Sequence, residues 1–241
     1  MCHHDLFMIS EPHIFYFSNP NPTTHHHHKW QTVLAQGAKD ENEKSKPIRS
    51  MMLVNNKLTN YDIIDVKSSD LTAISIQREE RRPLAISVYV SPEQGRQGLE
   101  TLETTMRTIG DLCTMQTEKW GSNLDILVMG DFNRHDQLWG GDSIATSRRQ
   151  GEAQPIIDWM LRWGIRSALP RGTITYESGA WKTTIDLILA SDRLFDAMTY
   201  CSTLPHEHGS DHRGIEIKAQ LNDTHPQQVE PQGKYNLRSA P

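Results

Sequence analysis

Between Arg49 and Val90 the chain runs through four short segments rich in Ile, Val and Leu: "RSMMLVN" (49–55), "YDIIDV" (61–66), "LTAISIQ" (71–77) and "LAISVYV" (84–90). Apolar runs of this length, bounded by polar turns, read as strands. They follow one another with no helix between them. That order does not fit strict strand–helix alternation and points instead to an α/β chain of packed sheets flanked by helices. A helix comes next: in "QGLETLETTMRTIGDLCTMQTEKW", Leu99, Leu102, Met106, Ile109 and Cys113 recur on one face. Further strands are expected at "DLFMIS" (5–10), "LDILVMG" (124–130), "TTIDLILAS" (183–191) and "GIEIKA" (214–219). A second helix is expected at "QPIIDWMLRWGI" (154–165), with Ile156, Ile157, Met160 and Trp163 facing the core.

The intervening stretches read as loops. "NPNPTTHHHHKWQ" (19–31) carries the histidine run His25–His28. Four adjacent histidines with no cysteine or acid close by fit solvated low complexity better than a zinc site. "AKDENEKSK" (38–46) is a charged loop, and "QREERRP" (77–83) is a hairpin tip read as a solvated charge cluster. After Gln220 the chain turns polar and loses periodicity. The expected organisation is therefore one domain over 1–220 and a linker or tail over 221–241. No apolar run approaches the roughly 18 residues that span a membrane, and the N-terminus lacks a signal-peptide pattern. Cys2, Cys113 and Cys201 form neither a disulfide framework nor a zinc pattern, which suggests a reducing, intracellular setting. The net charge of -5 argues against salt-driven coating of nucleic acid. An enzyme acting on nucleic acid through acids gathered around a divalent cation remains open.

Polar residues collect where strands end. "VMGDFNRHDQLWGGD" runs a buried strand into Asp131 and Asn133, then His135 and Trp139. Glu11 follows "LFMIS", Tyr89 lies in "SVYVSPE", Asp186 in "TTIDLIL", and Ser210, Asp211 and His212 precede "RGIEI". An acid within an apolar strand needs a partner, and for Asp186 the natural one is His212. The set suits metal-assisted phosphodiester hydrolysis. Glu11 would hold a hard cation, and Asp131 with Asn133 would orient and activate water. His212, held by Asp186, would stabilise charge on the phosphate, and Tyr89 would touch a phosphate oxygen. Taken singly, each residue has a plainer reading: strand exit, core aromatic, loop cap or turn. Trp139 reads as a packing residue, and Thr173 and Thr175 as a solvated strand start.

Together, Glu11 in "SEP", Tyr89 in "VYVSP", "GDFN" (130–133), "IDLILAS" (185–191) and "SDH" (210–212) resemble the endonuclease/exonuclease/phosphatase family, in its order and over nearly the whole chain. The resemblance implies a deoxyribonuclease I-like, two-sheet α/β sandwich that depends on Mg²⁺ (or Mn²⁺), with its site at one edge. It implies the roles above for Glu11, Tyr89, Asp131, Asn133, Asp186 and His212. It adds Asp211 to Glu11 as a metal residue, and His135 and Ser210 as substrate contacts. "EPHIF", "GDFNRHDQLWGG" and "TTIDLILAS" look most like the endonuclease domain of non-LTR retrotransposon polyproteins. The implied function is DNA nicking, in the nucleus, beside a reverse transcriptase domain and with no membrane association. The inositol-phosphatase signature before "SDH" is missing, which lowers a small-molecule phosphatase reading without removing it. The family's first strand–helix unit, whose strand ends in Asn, has no counterpart before Glu11. That leaves a degenerate, weakly binding fragment as a further alternative.

Overall fold

The structure is a computed structural model that describes residues 4–14, 27–36, 47–142, 151–205 and 209–221. His25 and His26, the 38–46 loop and nearly all of the 221–241 tail lie outside these residues. The framework is a six-stranded sheet of order β4 (Tyr61–Ile64), β5 (Leu71–Ile76), β6 (Arg82–Tyr89), β7 (Leu124–Asp131), β11 (Asp186–Ser191), β8 (Ile165–Ser167). All neighbours are antiparallel except β6 and β7. A parallel pair needs a crossover, and α1 (Gly95–Trp120) supplies it.

Each central strand splits its residues between two faces, as the period of two requires. Leu84, Ile86 and Val88 of β6, Ile126 and Val128 of β7, and Leu187 and Leu189 of β11 pack with α1 and with α3 (Gln154–Trp163). The buried residues of α1 include Leu102, Met106, Ile109, Leu112 and Cys113, while Leu99 is exposed. In α3 the buried residues are Ile156, Trp159 and Met160, with Ile157 and Trp163 half-buried against the core. Trp139, in the short α2 (Gln137–Gly140), is buried and donates its indole N–H to the Arg134 carbonyl, so it is a packing residue.

The opposite face of the sheet meets a second layer. It contains a three-stranded sheet of order β1 (Leu6–Ser10), β3 (Ser50–Asn55), β2 (Trp30–Leu34). Val33, Met52 and Val54 pack there on Ile74, Ile76 and Ala85. The layer also holds a separate pair, β12 (Met198–Thr203) with β13 (Ile215–Ala219), which follows α4 (Asp192–Ala197). A hairpin, β9 (Tyr176–Ser178) and β10 (Trp181–Thr183), lies just before β11. The two-layer α/β reading therefore holds, with the second layer divided.

Three local expectations are corrected. The 19–31 segment is not all loop, because Trp30 begins β2, and His27 and His28 form the stacked turn that leads into it. The strand expected over 183–191 is two strands separated by Thr184 and Ile185. The 77–83 cluster is not simply solvated: Arg81 is buried, and its Nε lies 2.7 Å from Oδ2 of the fully buried Asp125. Arg193 reaches the other carboxylate oxygen at 2.9 Å. Two arginines thus neutralise one buried acid and tie β6, β7 and α4 together. Asp125→Ala leaves Arg81 buried without its partner. It is expected to cost about 3–5 kcal/mol, read as a lower urea midpoint at unchanged slope.

Candidate active site

The register of the central sheet builds the site. Tyr89 pairs with Asp131 across the parallel β6–β7 ladder, and Asp131 pairs with Asp186 across the antiparallel β7–β11 ladder. These three residues form one row, on the face turned away from the helices. Just before Asp131, Gly130 has φ 148°, and a Cβ there would sit 1.9 Å from the Val88 carbonyl oxygen. Only glycine lets β7 approach β6 so closely at the point where the row forms.

Loops then bring in the rest. Asn133 takes a left-handed φ of 47°, which an Asn tolerates. Its backbone N–H donates to Asp131 Oδ1 at 2.9 Å and its side-chain amide to Oδ2 at 2.7 Å. Glu11 ends β1 at φ 51°, a conformation that costs a non-glycine residue energy. Its N–H is held by the Arg49 carbonyl at 2.9 Å. The Glu11 carboxylate lies close enough to the Tyr89 hydroxyl to raise its pKa. The Arg49 guanidinium lies 4.9 Å above the Tyr89 ring while it grips Asp70 through two bonds. His212 Nδ1 lies 3.0 and 3.1 Å from the two Asp186 oxygens, and its Nε2 is 3.9 Å from Asp131 Oδ2.

All nine residues singled out from the sequence (Glu11, Tyr89, Asp131, Asn133, His135, Asp186, Ser210, Asp211 and His212) line one cleft of about 790 Å³. Their positions differ in kind. Ser210 is exposed, and its hydroxyl accepts the His212 N–H at 3.1 Å, which fixes the turn that presents the imidazole. His135 lies between this cleft and a smaller cavity beside the start of α1. Among the described residues, the ligand-capable atoms of Asp131, Asp186 and His212 lie within 4.8 Å of one another, whereas Glu11 and Asp211 stand outside that cluster.

Several contributors were not singled out. Thr175 is fully buried, and its hydroxyl accepts the N–H groups of Ile185 and Asp186 at 3.1 and 3.0 Å. Its carbonyl accepts the Arg213 N–H, so one residue ties the Asp186 strand to the His212 loop. It is a buried strut, not a solvated strand start. Tyr176 packs edge-on against the His212 ring at 4.9 Å. Ser10 donates to the Val88 carbonyl and accepts, at 3.4 Å, from the Asp131 N–H. Arg134 is buried and donates to the carbonyls of Ser91, Asn133 and Gly98, which anchors the Asp131–Asn133 loop to the start of α1. The only sequence signal for these was proximity to a strand end.

The electrostatics follow from the row. Burial, then the nearby Asp186 charge, pushes Asp131 up to about 7. Burial pulls His212 down, but its hydrogen bond to Asp186 and the charges of Asp186 and Asp131 outweigh that and carry it up to about 9. Burial and the nearby Glu11 carboxylate raise the Tyr89 phenol, so it stays a donor at neutral pH. The carboxylates on the cleft wall, Glu11, Asp131, Asp186 and Asp211, offer the oxygen ligands that suit a hard divalent cation. The crowding that raises Asp131 is itself a site for positive charge.

Both shifts carry a stability signature in the metal-free protein. Asp131, folded near 7 against an ordinary 3.8, keeps its proton longer when folded, so its contribution is lost as pH rises from about 4 to about 7. His212, folded near 9 against 6.5, contributes fully below about 6.5 and loses this as pH rises towards 9. Urea unfolding of Asp131→Asn should therefore show more stabilisation relative to the native chain at pH 7 than at pH 4. A constant difference across that window would mean that Asp131 is not proton-linked.

Residues 84–216, over half of the chain, match the endonuclease-reverse transcriptase family. Among curated proteins no sequence matches the chain. The fold is similar to that of the endonuclease domain of TRAS1, a telomere-specific non-LTR retrotransposon, with 13% identity, a TM-score of 0.63, and 90% of this chain and 86% of that one covered. It is also similar to the AP endonuclease LMAP from Leishmania major, with 13% identity, a TM-score of 0.59, and 79% and 70% covered. A third similar structure is an endonuclease/exonuclease/phosphatase family protein from Leptotrichia buccalis, with 15% identity, a TM-score of 0.56, and 90% and 88% covered. At these identities the structures show a common fold, and among the described residues no helix is long and apolar enough to cross a membrane. The matched residues include Tyr89, Asp131, Asn133, Asp186 and the 210–212 turn, and the chain belongs to the endonuclease-reverse transcriptase family, on a deoxyribonuclease I-like fold.

Proposed function

We propose that the domain is a Mg²⁺-dependent endonuclease that nicks DNA for a non-LTR retrotransposon, and that it works in the nucleus beside a reverse transcriptase domain of the same polyprotein. The observation that carries this reading is the row Tyr89–Asp131–Asp186 with His212 bridging the two acids.

Asp131, with its pKa near 7, takes a proton from the attacking water, since a base works best when its pKa lies near the operating pH. Asn133 fixes the Asp131 carboxylate through two hydrogen bonds. His212 is protonated at neutral pH and places its Nε2 beside Asp131, where it meets the charge that builds on the phosphate. Asp186 holds that imidazole in orientation. Tyr89 donates to a phosphate oxygen. Glu11 and Asp211 would hold the cation, Mg²⁺ or Mn²⁺, which would offset phosphate charge when bound. Ser210 and His135, at the cleft wall, contact the DNA strand.

Relaxation of supercoiled plasmid in Mg²⁺, stopped by EDTA, is the direct assay. Asp186→Asn keeps the shape of the side chain and removes its charge. It is expected to leave the melting temperature nearly unchanged and to slow nicking at least roughly a hundredfold. Near-normal nicking by a well-folded Asp186→Asn chain would make Asp186 a structural acid only. Phosphate release from 3′-phosphorylated DNA with no plasmid nicking would redirect the reading to a phosphatase.

A further inference from the structure

Among the described residues, the wall of the cleft carries a single lysine or arginine, Arg213. It follows His212 directly in the chain, and its backbone is fixed. The Arg213 N–H donates to the Thr175 carbonyl at 2.7 Å, and the Glu177 N–H donates to the Asp211 carbonyl at 2.8 Å. Tyr176 and His212 form the bridge between these two bonds. The residue after the imidazole therefore starts from a set position, and its long side chain is left to choose a partner.

That side chain is half-exposed and rests on Glu177, with Nη2 2.7 Å from Oε2. Glu177 does not depend on it. Lys182 pairs with Glu177 across the β9–β10 hairpin and places its Nζ 2.5 Å from the other carboxylate oxygen, Oε1. Lys182 first, and Arg213 after it, hold the Glu177 carboxyl below the usual carboxylate range. One carboxylate thus has two cations, and Arg213 can leave it without stranding a charge. The pair is partly exposed, so opening it costs little.

We infer that Arg213 is a substrate-binding residue: it exchanges Glu177 for a backbone phosphate of the DNA strand beside the scissile one, while Lys182 keeps Glu177 neutralised. The inference rests on the nuclease reading and deepens it. A polyanion that enters this cleft meets Glu11, Asp131, Asp186 and Asp211. His212 serves the scissile phosphate, and the next phosphate needs a cation of its own. A chain of net charge -5 offers no diffuse excess of positive charge to supply it, so a local side chain has to. Arg213 is one residue from His212, and a guanidinium presents a planar fork of donors that matches two phosphate oxygens. Its bond to Glu177 engages one end of that fork.

Fluorescence anisotropy of a short labelled duplex, with Ca²⁺ in place of Mg²⁺, reads binding without requiring turnover. Arg213→Ala is expected to weaken binding about tenfold and to reduce the slope of log affinity against log salt by about 1. Arg213→Lys keeps the charge and loses the fork, so it should keep the native slope while binding less tightly than the native chain. Glu177→Gln should act in the opposite direction and tighten binding about two- to fivefold, because the carboxylate no longer competes for the guanidinium. A staple that merely holds the hairpin to the His212 loop makes a different demand: Arg213→Ala and Glu177→Gln would both weaken binding, with a lower melting temperature in each. That outcome would overturn the inference and leave the nuclease reading standing, as would an Arg213→Ala chain with native affinity and native salt slope. Failure of the native chain to bind the duplex would overturn both.

Discussion

Asp131 and Asp186 stand directly opposite one another on adjacent strands, and everything else at the site answers to that pairing. Like charges across a ladder repel, and one of these acids is almost wholly buried. The structure meets this with a shared proton economy. Asp131 gains proton affinity, and His212 takes up positive charge between the two carboxylates. The arrangement that relieves the repulsion is also the one that sets a base of near-neutral affinity beside a cationic donor. The same two groups, Asp131 and His212, carry both effects.

The row would be useless if its members moved independently, and the loops show how they are held. Thr175 clamps the start of β11 to the loop that carries His212. Ser210 shapes the last turn before the imidazole, and Tyr176 backs its ring. Arg134 pins the other side by filling three carbonyls from two loops and the first turn of α1. Left-handed backbone at Glu11 and Asn133 sets a carboxylate and an amide in the cleft lining. Such strain persists because the surrounding hydrogen bonds over-determine it.

The two layers are unequal partners. The framework sheet is covered on its helix side by a continuous core, whereas its other face is covered by two separate small sheets. The Tyr89–Asp131–Asp186 row lies beside the gap between those two sheets.

The sequence by itself determined five of the six strands of the framework, both long helices, and the identity of the polar residues at the strand ends, but not β8. These are local properties: periodicity of two or 3.6, apolar runs, and turn residues with a fixed backbone preference. It also made Asp186 conspicuous, because an acid between Ile185 and Leu187 demands a partner. Tertiary structure decided the rest. Register set Tyr89, Asp131 and Asp186 in one row, and a shift of one residue would have sent Asp131 to the helix face. Thr175, Ser10 and Arg134 look like any polar residues near a turn until distant segments supply their partners. Arg81 looked solvated until Asp125 of β7 turned out to lie beneath it. Which strands flank the division of the second layer was likewise decided only by pairing between residues far apart in the chain.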